Sequence, residues 1–374
     1  MVFLTLSKFT DALLSSLKEK TTKVMLIVDN DLDGMTSAVL LDTALYELGI
    51  EDLEVAFRDP LSWDIPYSLV DDYDPDVVIL LDIASNSVGD PKSLARLSPT
   101  VFQIDHHITK DIGHPKRLMA YNPVRSGEDY IPTVFLSREI ALHLNIDSVT
   151  SESANLVTLV GLFADAAVSY YREKNSALKF YVEPKVSDFY EHCKSVFPKY
   201  FQILSQGNFK FPLLQQITSC MNFFNKDLGF DEGYVQLVNA MEKEGQIEKL
   251  FEEIILKYNS EFLNLLDKIE KILNYYENEP ETPIINYNNR EKVIPNSTLS
   301  RLLVEHTGKV VVVHHSTATE VLVSGRLPKT LQKNLVPIFE KYGGGGHSKA
   351  CGARIRQEDL PLLLQDIENE LNSS

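Results

Sequence analysis

Two apolar runs in this chain end abruptly in side chains that can do chemistry. VMLIV is followed by Asp29-Asn30-Asp31-Leu32-Asp33-Gly34, and TVFQI by Asp105-His106-His107. Two further acids fit the same pattern: Asp82 closes DVVILLD, and Asp165 lies within the apolar segment LVTLVGLFADAAVS. An ionised carboxylate in such surroundings costs several kcal/mol unless a cation or a hydrogen-bond network compensates it. Carboxylates and imidazoles suit hard or borderline divalent cations, and the carboxyl ends of parallel strands are where an open α/β sheet places its ligands. One metal centre accounts for all four segments.

Other readings of these motifs fare worse. Asp29 to Gly34 has the spacing that opens a calcium-binding EF-hand loop, but the twelfth position is Leu40 instead of a bidentate Glu, and a strand precedes it instead of a helix. His106 and His107 are adjacent, so on an extended strand they are expected to point to opposite sides, one to metal and one elsewhere. The pair His314-His315 has no acidic company and is expected to be silent. Gly343-Gly344-Gly345-Gly346-His347 offers backbone N–H groups that can approach an anion closely. No G-x-S-x-G and no G-x-x-x-x-G-K-[ST] occurs, which argues against a serine nucleophile and a nucleotide P-loop.

The elements that must position these residues follow from periodicity. KVMLIV, LEVAF, DVVILL and TVFQI alternate with helical patterns such as MTSAVLLDTALYELG, the mark of βαβ units around a parallel sheet. Residues 1–182 are read as this first domain. Residues 183–282 show helical periodicity throughout and read as a connector, ending in the proline-containing stretch NYYENEPETP. Residues 283–374 read as a second, smaller α/β domain: a helix near SRLLVEH, strands at KVVVVHH, TEVLVSGRL and ACGARIR, a helix over LPKTLQKNLVPIFEKY and a closing helix.

Composition bounds the class. A chain of 374 residues, 44% hydrophobic, with no apolar run of bilayer-spanning length, is expected to be a soluble two-domain protein. The first twenty residues lack a small-residue cleavage site, so no signal peptide is expected. Three widely spaced cysteines fit a reducing, cytoplasmic setting. The net charge of −17 opposes wholesale coating of nucleic acid. From Arg326 to Arg356, however, seven basic residues accompany a single acid, Glu340.

Taken in order, the motifs at Asp29-x-Asp31-x-Asp33-Gly34, Asp82, Asp105-His106-His107 and Asp165 resemble the four motifs of the DHH phosphoesterase superfamily. GGGGHSKACGA resembles the glycine-rich signature of the companion DHHA1 domain. The resemblance covers both ends of the chain but not its middle. It implies a DHH-like catalytic domain, a DHHA1-like substrate-binding domain and an active site in the cleft between them. It also implies two divalent cations, manganese ahead of magnesium, that assist hydrolysis of phosphodiester or phosphoanhydride bonds. Asp82 would bridge the cations, with Asp29 and Asp31 mainly on one and Asp33, His106 and Asp165 on the other. His107 would then face the scissile phosphate or leaving oxygen, and Asp105 would orient an imidazole. Arg326, Gly344, Gly345, Gly346 and His347 would hold the far end of the substrate. The first motif is closer to RecJ-type exonucleases than to oligoribonucleases, but their added oligonucleotide-binding barrel is not expected from these residues, whose number is nearer to that of nano-RNA hydrolases and cyclic-dinucleotide phosphodiesterases. The expected partner is a short single-stranded nucleic acid or small nucleotide, with no membrane and with a homodimer compatible. A RecJ-like exonuclease on longer strands, a pyrophosphatase or polyphosphatase, and a non-catalytic binding module are the competing functions.

Overall fold

The computed structural model describes residues 2–17, 22–58, 65–84, 100–108, 118–172, 178–206, 209–243, 245–277, 284–290 and 295–372. The chain divides into two compact units: residues 1–169 with 181–261, and residues 170–180 with 262–374. The segment 183–282, helical by periodicity, is therefore shared between the two units. It contains helices Ser187–Val196, Leu213–Leu228, Phe230–Met241 and Gln246–Glu277. It is not helical throughout, because Ile203–Gln206 and Phe209–Pro212 pair as a short antiparallel hairpin. The helix that runs to Glu277 also enters the polar stretch read as a boundary; the rest of that stretch, residues 278–283, lies outside the described residues.

The first unit is built on a six-stranded parallel sheet in the order β1-β6-β5-β4-β2-β3. These strands are Val2–Phe3 (β1), Val24–Val28 (β2), Leu53–Phe57 (β3), Val77–Leu81 (β4), Thr100–Ile104 (β5) and Leu118–Tyr121 (β6). β2 and β4 are buried at every position, as parallel strands covered on both faces must be. Met25, Ile27, Val78 and Leu80 close one face against Ile65, Val70 and Ile83, each buried side chain contributing about 1.5–3 kcal/mol. Leu6–Ser16 (α1) lies against β6, and Leu32–Glu47 (α2) is buried along nearly its whole length, packed by Thr133–His143 (α3) and Glu152–Ala164 (α4).

The second unit holds a five-stranded sheet in the spatial order Ile284–Asn288, Val310–Ser316, Val321–Arg326, Ala350–Ile355, Gly345–His347. Its first pair is parallel and the rest antiparallel. Val312, Val323, Cys351 and Ile355 form its core with Phe339, Leu363 and Ile367 from helices Val336–Lys341 and Leu360–Asn372. The helix expected over LPKTLQKNLVPIFEKY shrinks to Val336–Lys341. Pro337 sits in its first turn and the Asn334 side chain accepts from the Val336 N–H, so the helix starts there and not at Pro328. Among the described residues no helix is long and apolar enough to cross a membrane, and all three cysteines are buried free thiols.

Candidate metal centre

Register brings the candidate residues to one height. Val28 pairs with both Phe57 and Leu81, Leu81 with Ile104, and Ile104 with Tyr121. The next residue on each strand therefore falls in a single row along the carboxyl edge: Arg58, Asp29, Asp82, Asp105 and Asn122. The backbone ladder runs one step past the strands to hold that row, with N–H groups of Arg58, Asp29, Asp82 and Asp105 donating to Val28, Leu81, Ile104 and Tyr121. Asp82 has a left-handed backbone, φ 59°, which terminates its strand at a cost of order 1–2 kcal/mol. Gly34 lets α2 begin against β2, since a Cβ there would lie 2.7 Å from the Asp29 carbonyl oxygen.

Asp31 is exposed and caps α2, its carboxylate accepting from the Gly34 N–H at 2.9 Å. Asp33 is buried, and its oxygens accept from the first N–H groups of α3, Thr133 at 2.8 Å and Val134 at 2.9 Å. The Thr133 hydroxyl donates to Oδ1 of buried Asp82 at 2.9 Å. Asp165 closes the carboxyl end of α4 and accepts a hydrogen bond from the Tyr130 hydroxyl. His106 and His107 follow the end of β5, so strand alternation no longer governs them. Both rings face the same carboxylate instead of opposite sides: His106 Nε2 is 3.2 Å and His107 Nδ1 3.8 Å from Asp82 Oδ1. Asp105 accepts from His107 Nδ1 at 2.7 Å, and is approached on its other oxygen by the side-chain amides of Gln103 at 3.5 Å and Asn122 at 3.4 Å.

Ligand atoms of Asp29, Asp31 and Asp82 lie within 4.8 Å of one another, as do those of Asp33, His106 and Asp165, and those of Asp82, Asp105 and His107. Asp82 is common to two of these groups. Burial, followed by repulsion from Asp31, pushes Asp29 up to about 6, against the opposing charge of Arg58 at 3.4 Å. Burial and neighbouring carboxylates hold Asp33 and Asp82 above the usual range. Burial and the charge of His107 push His106 down to about 3. Burial alone would lower His107 too, but the Asp105 carboxylate outweighs it and lifts the imidazole to about 9. Asp105 lies below its usual range, because the two imidazoles outweigh burial.

The donor set fits divalent cations. His106 Nδ1 lies 3.1 Å from the Ile131 carbonyl, which can only accept, so Nδ1 carries the proton and Nε2 presents its lone pair. That lone pair faces a carboxylate oxygen at 3.2 Å. Two acceptors at such a distance need a proton or a cation between them, and a histidine anchored through its other nitrogen to a carbonyl is a usual metal ligand.

In the second unit, Arg326 is paired with Ala350, and Ala350 with His347. The three form one cross-strand row on one face, with a small residue between two larger ones. Part of the glycine cluster is regular structure: Gly345–His347 is an edge strand. A Cβ at Gly344 would lie 2.3 Å from the Gly352 carbonyl oxygen, and one at Gly346, where φ is 135°, 2.3 Å from that of Ala350. These glycines therefore permit close strand pairing. Most of the basic stretch is engaged locally. Lys341 pairs with Asp366, Arg354 with Glu320 and Arg356 with Asp359, while Lys349 donates to the carbonyls of Leu331 and Lys333. Arg326 and Lys329 share the surroundings of Glu305, whose burial pushes it up to about 7 despite them and Arg301.

Arg58, Asn122, Tyr130 and Thr133 escaped the sequence reading. The rule that found Asp29 and Asp82, a polar residue just past an apolar strand, applies to Arg58 after LEVAF and to Asn122 after LMAY. Tyr130 and Thr133 lie on no strand and carry no such signal.

Residues 23–159 match the DHH family, N-terminal domain, and residues 286–373 match the DHHA1 domain. The structure of RecJ from Thermus thermophilus in complex with Mn2+ superposes with a TM-score of 0.63 at 15% identity, over 97% of this chain and 54% of that one. This chain thus spans about half the length of that relative. A structure of exonuclease RecJ bound to manganese gives 0.57 at 13% identity over 100% of this chain and 96% of that one. An exopolyphosphatase-related protein from Bacteroides fragilis gives 0.53 at 14%, over 96% and 95%. At such identities the likeness is one of fold. Comparison with curated protein sequences gave no match. The strand-end acids, the Asp105-His106-His107 turn and the matched segments agree: the chain belongs to the DHH family and carries a C-terminal DHHA1 domain.

Proposed function

We propose that this protein is a divalent-cation-dependent phosphodiesterase acting on short single-stranded oligonucleotides or small nucleotide phosphodiesters. The observation that carries this reading is the convergence of Asp29, Asp31, Asp33, Asp82, His106 and Asp165 from four separate segments into groups whose ligand atoms lie within 4.8 Å. Asp82 belongs to both an all-carboxylate group and one that contains His107, and it is the residue we assign to both cations. Two bound cations would supply Lewis-acid polarisation and stabilise the charge that builds up at phosphorus; manganese and magnesium are the candidates, since RecJ structures are reported with either ion.

The remaining groups have roles that follow from their own chemistry. His107, kept protonated by Asp105, is a proton donor for the leaving oxygen and a counter-charge for phosphate. Asn122 fixes that turn, its amide donating to the His107 carbonyl at 3.0 Å. Arg326 supplies a planar donor fork for a non-scissile phosphate, His347 a ring for hydrogen bonding or stacking, and Gly344, Gly345 and Gly346 backbone N–H groups.

The preference for short single strands follows from charge. A net charge of −17, with Lys341, Arg354 and Arg356 paired to local acids and Lys349 held by carbonyls, gives long polyanions little to hold. The test is a manganese-dependent time course on end-labelled DNA and RNA of graded length, with a cyclic dinucleotide and pyrophosphate alongside. The shortest oligonucleotides should be cleaved fastest per end. Faster processing of long strands would favour the exonuclease reading, and cleavage of pyrophosphate alone would overturn the substrate assignment.

A further inference from the structure

Thr133 occupies a place that no motif announces. It is fully buried at the start of α3, an eleven-residue helix, and it touches two carboxylates assigned to different ligand groups. Its backbone N–H donates to Asp33 Oδ2 at 2.8 Å, and its hydroxyl donates to Asp82 Oδ1 at 2.9 Å. The next N–H, of Val134, takes the other Asp33 oxygen at 2.9 Å. The amino end of α3 therefore clamps Asp33 through both oxygens, with the partial positive charge of the helix terminus behind it. The hydroxyl fixes the rotation of Asp82 relative to that clamp. Oδ1 of Asp82 takes this bond, and none of the side-chain hydrogen bonds among the described residues falls on Oδ2.

We propose that Thr133 is a positioning residue for metal binding: its hydroxyl sets the Asp82 carboxylate, holding Asp82 and Asp33 at a fixed separation before a cation arrives. The inference rests on the metal-centre reading above. A group that orients a ligand acts on affinity, and loss of such a contact usually costs about 10- to 100-fold in metal binding or activity. The N–H bonds to Asp33 belong to the backbone and survive side-chain substitution, so changing Thr133 isolates the hydroxyl.

The experiment titrates Mn2+ into wild type, Thr133→Val and Thr133→Ser by calorimetry, with thermal melts of each protein in EDTA. Valine keeps the shape and removes the donor; serine keeps the donor. Weakening of Mn2+ binding by about 10- to 100-fold in Thr133→Val, with Thr133→Ser close to wild type, is the expected result. Equal Mn2+ affinity in wild type and Thr133→Val overturns the proposal. So does equal weakening in both variants with matching loss of melting temperature in EDTA, which would make Thr133 a packing residue. Wild type that binds no Mn2+ overturns the metal-centre reading itself and this inference with it, a result distinct from either of those.

Discussion

Asp29→Asn should stabilise the metal-free protein while weakening its response to manganese. In the absence of cation, burial and Asp31 push the Asp29 carboxyl from 3.8 to about 6, a shift of about 2 units, and each unit corresponds to about 1.4 kcal/mol. Holding the charged form at neutral pH thus costs about 3 kcal/mol, an upper figure. Asparagine removes that cost and keeps an oxygen to accept from the Asn30 N–H, which lies 2.9 Å from the carboxylate. The ion pair with Arg58 at 3.4 Å, which it gives up, is already inside that figure, because the guanidinium lowers the carboxyl against burial, so the net gain is at most about 3 kcal/mol. Because the folded pKa is raised, the wild-type penalty is full above about pH 6 and vanishes as pH falls toward 4. Urea denaturation in EDTA should therefore show Asp29→Asn more stable at pH 7.5 and more stable by a much smaller margin at pH 4.5. Manganese at a hundredfold excess over its dissociation constant adds about 2.7 kcal/mol to wild type, and less to a variant that binds it worse, so the gap should narrow. A metal-free Asp29→Asn protein less stable than wild type at pH 7.5, or an equal manganese gain in both, would refute the reasoning.

Asp82→Ala should abolish turnover, whereas His314→Ala, on a strand of the second unit remote in sequence from every ligand segment, should leave it nearly intact; initial rates with saturating manganese decide. Arg326→Ala and His347→Ala should each lose about 1–3 kcal/mol of interaction with a dinucleotide, read as kcat/KM, while bis-p-nitrophenyl phosphate hydrolysis and manganese content stay close to wild type. Equal loss on both substrates would assign these residues to the fold. Nuclear magnetic resonance of the metal-free protein should show His107 titrating near pH 9 and His106 neutral from pH 5 to 8; His107 should contribute stability below pH 6.5 that is lost as pH rises through 9.

The parallel sheet was legible because burial on both faces makes β2 and β4 continuous apolar runs, and the acids that end them stand out by contrast. LEVAF and LMAY are more mixed and stand out less, which is why Arg58 and Asn122 were missed although they occupy the same row. The Asp33 clamp on α3 joins residues a hundred positions apart, a pairing that local pattern does not encode. The orientation of His106 and His107 depended on where β5 stops, and one residue of strand length decides whether alternation applies. The glycine cluster was recognisable as a constraint on backbone, but the cause of that constraint, the close approach of Gly352 and Ala350, is tertiary.

A two-cation centre built around Asp82 is tested most directly by anomalous diffraction at the manganese edge, from crystals soaked in MnCl2. Two manganese peaks about 3.5–4 Å apart are expected, both contacting Asp82, with Asp29 and Asp31 on one and Asp33, His106 and Asp165 on the other. A single peak, or two peaks that do not share Asp82, would contradict that centre.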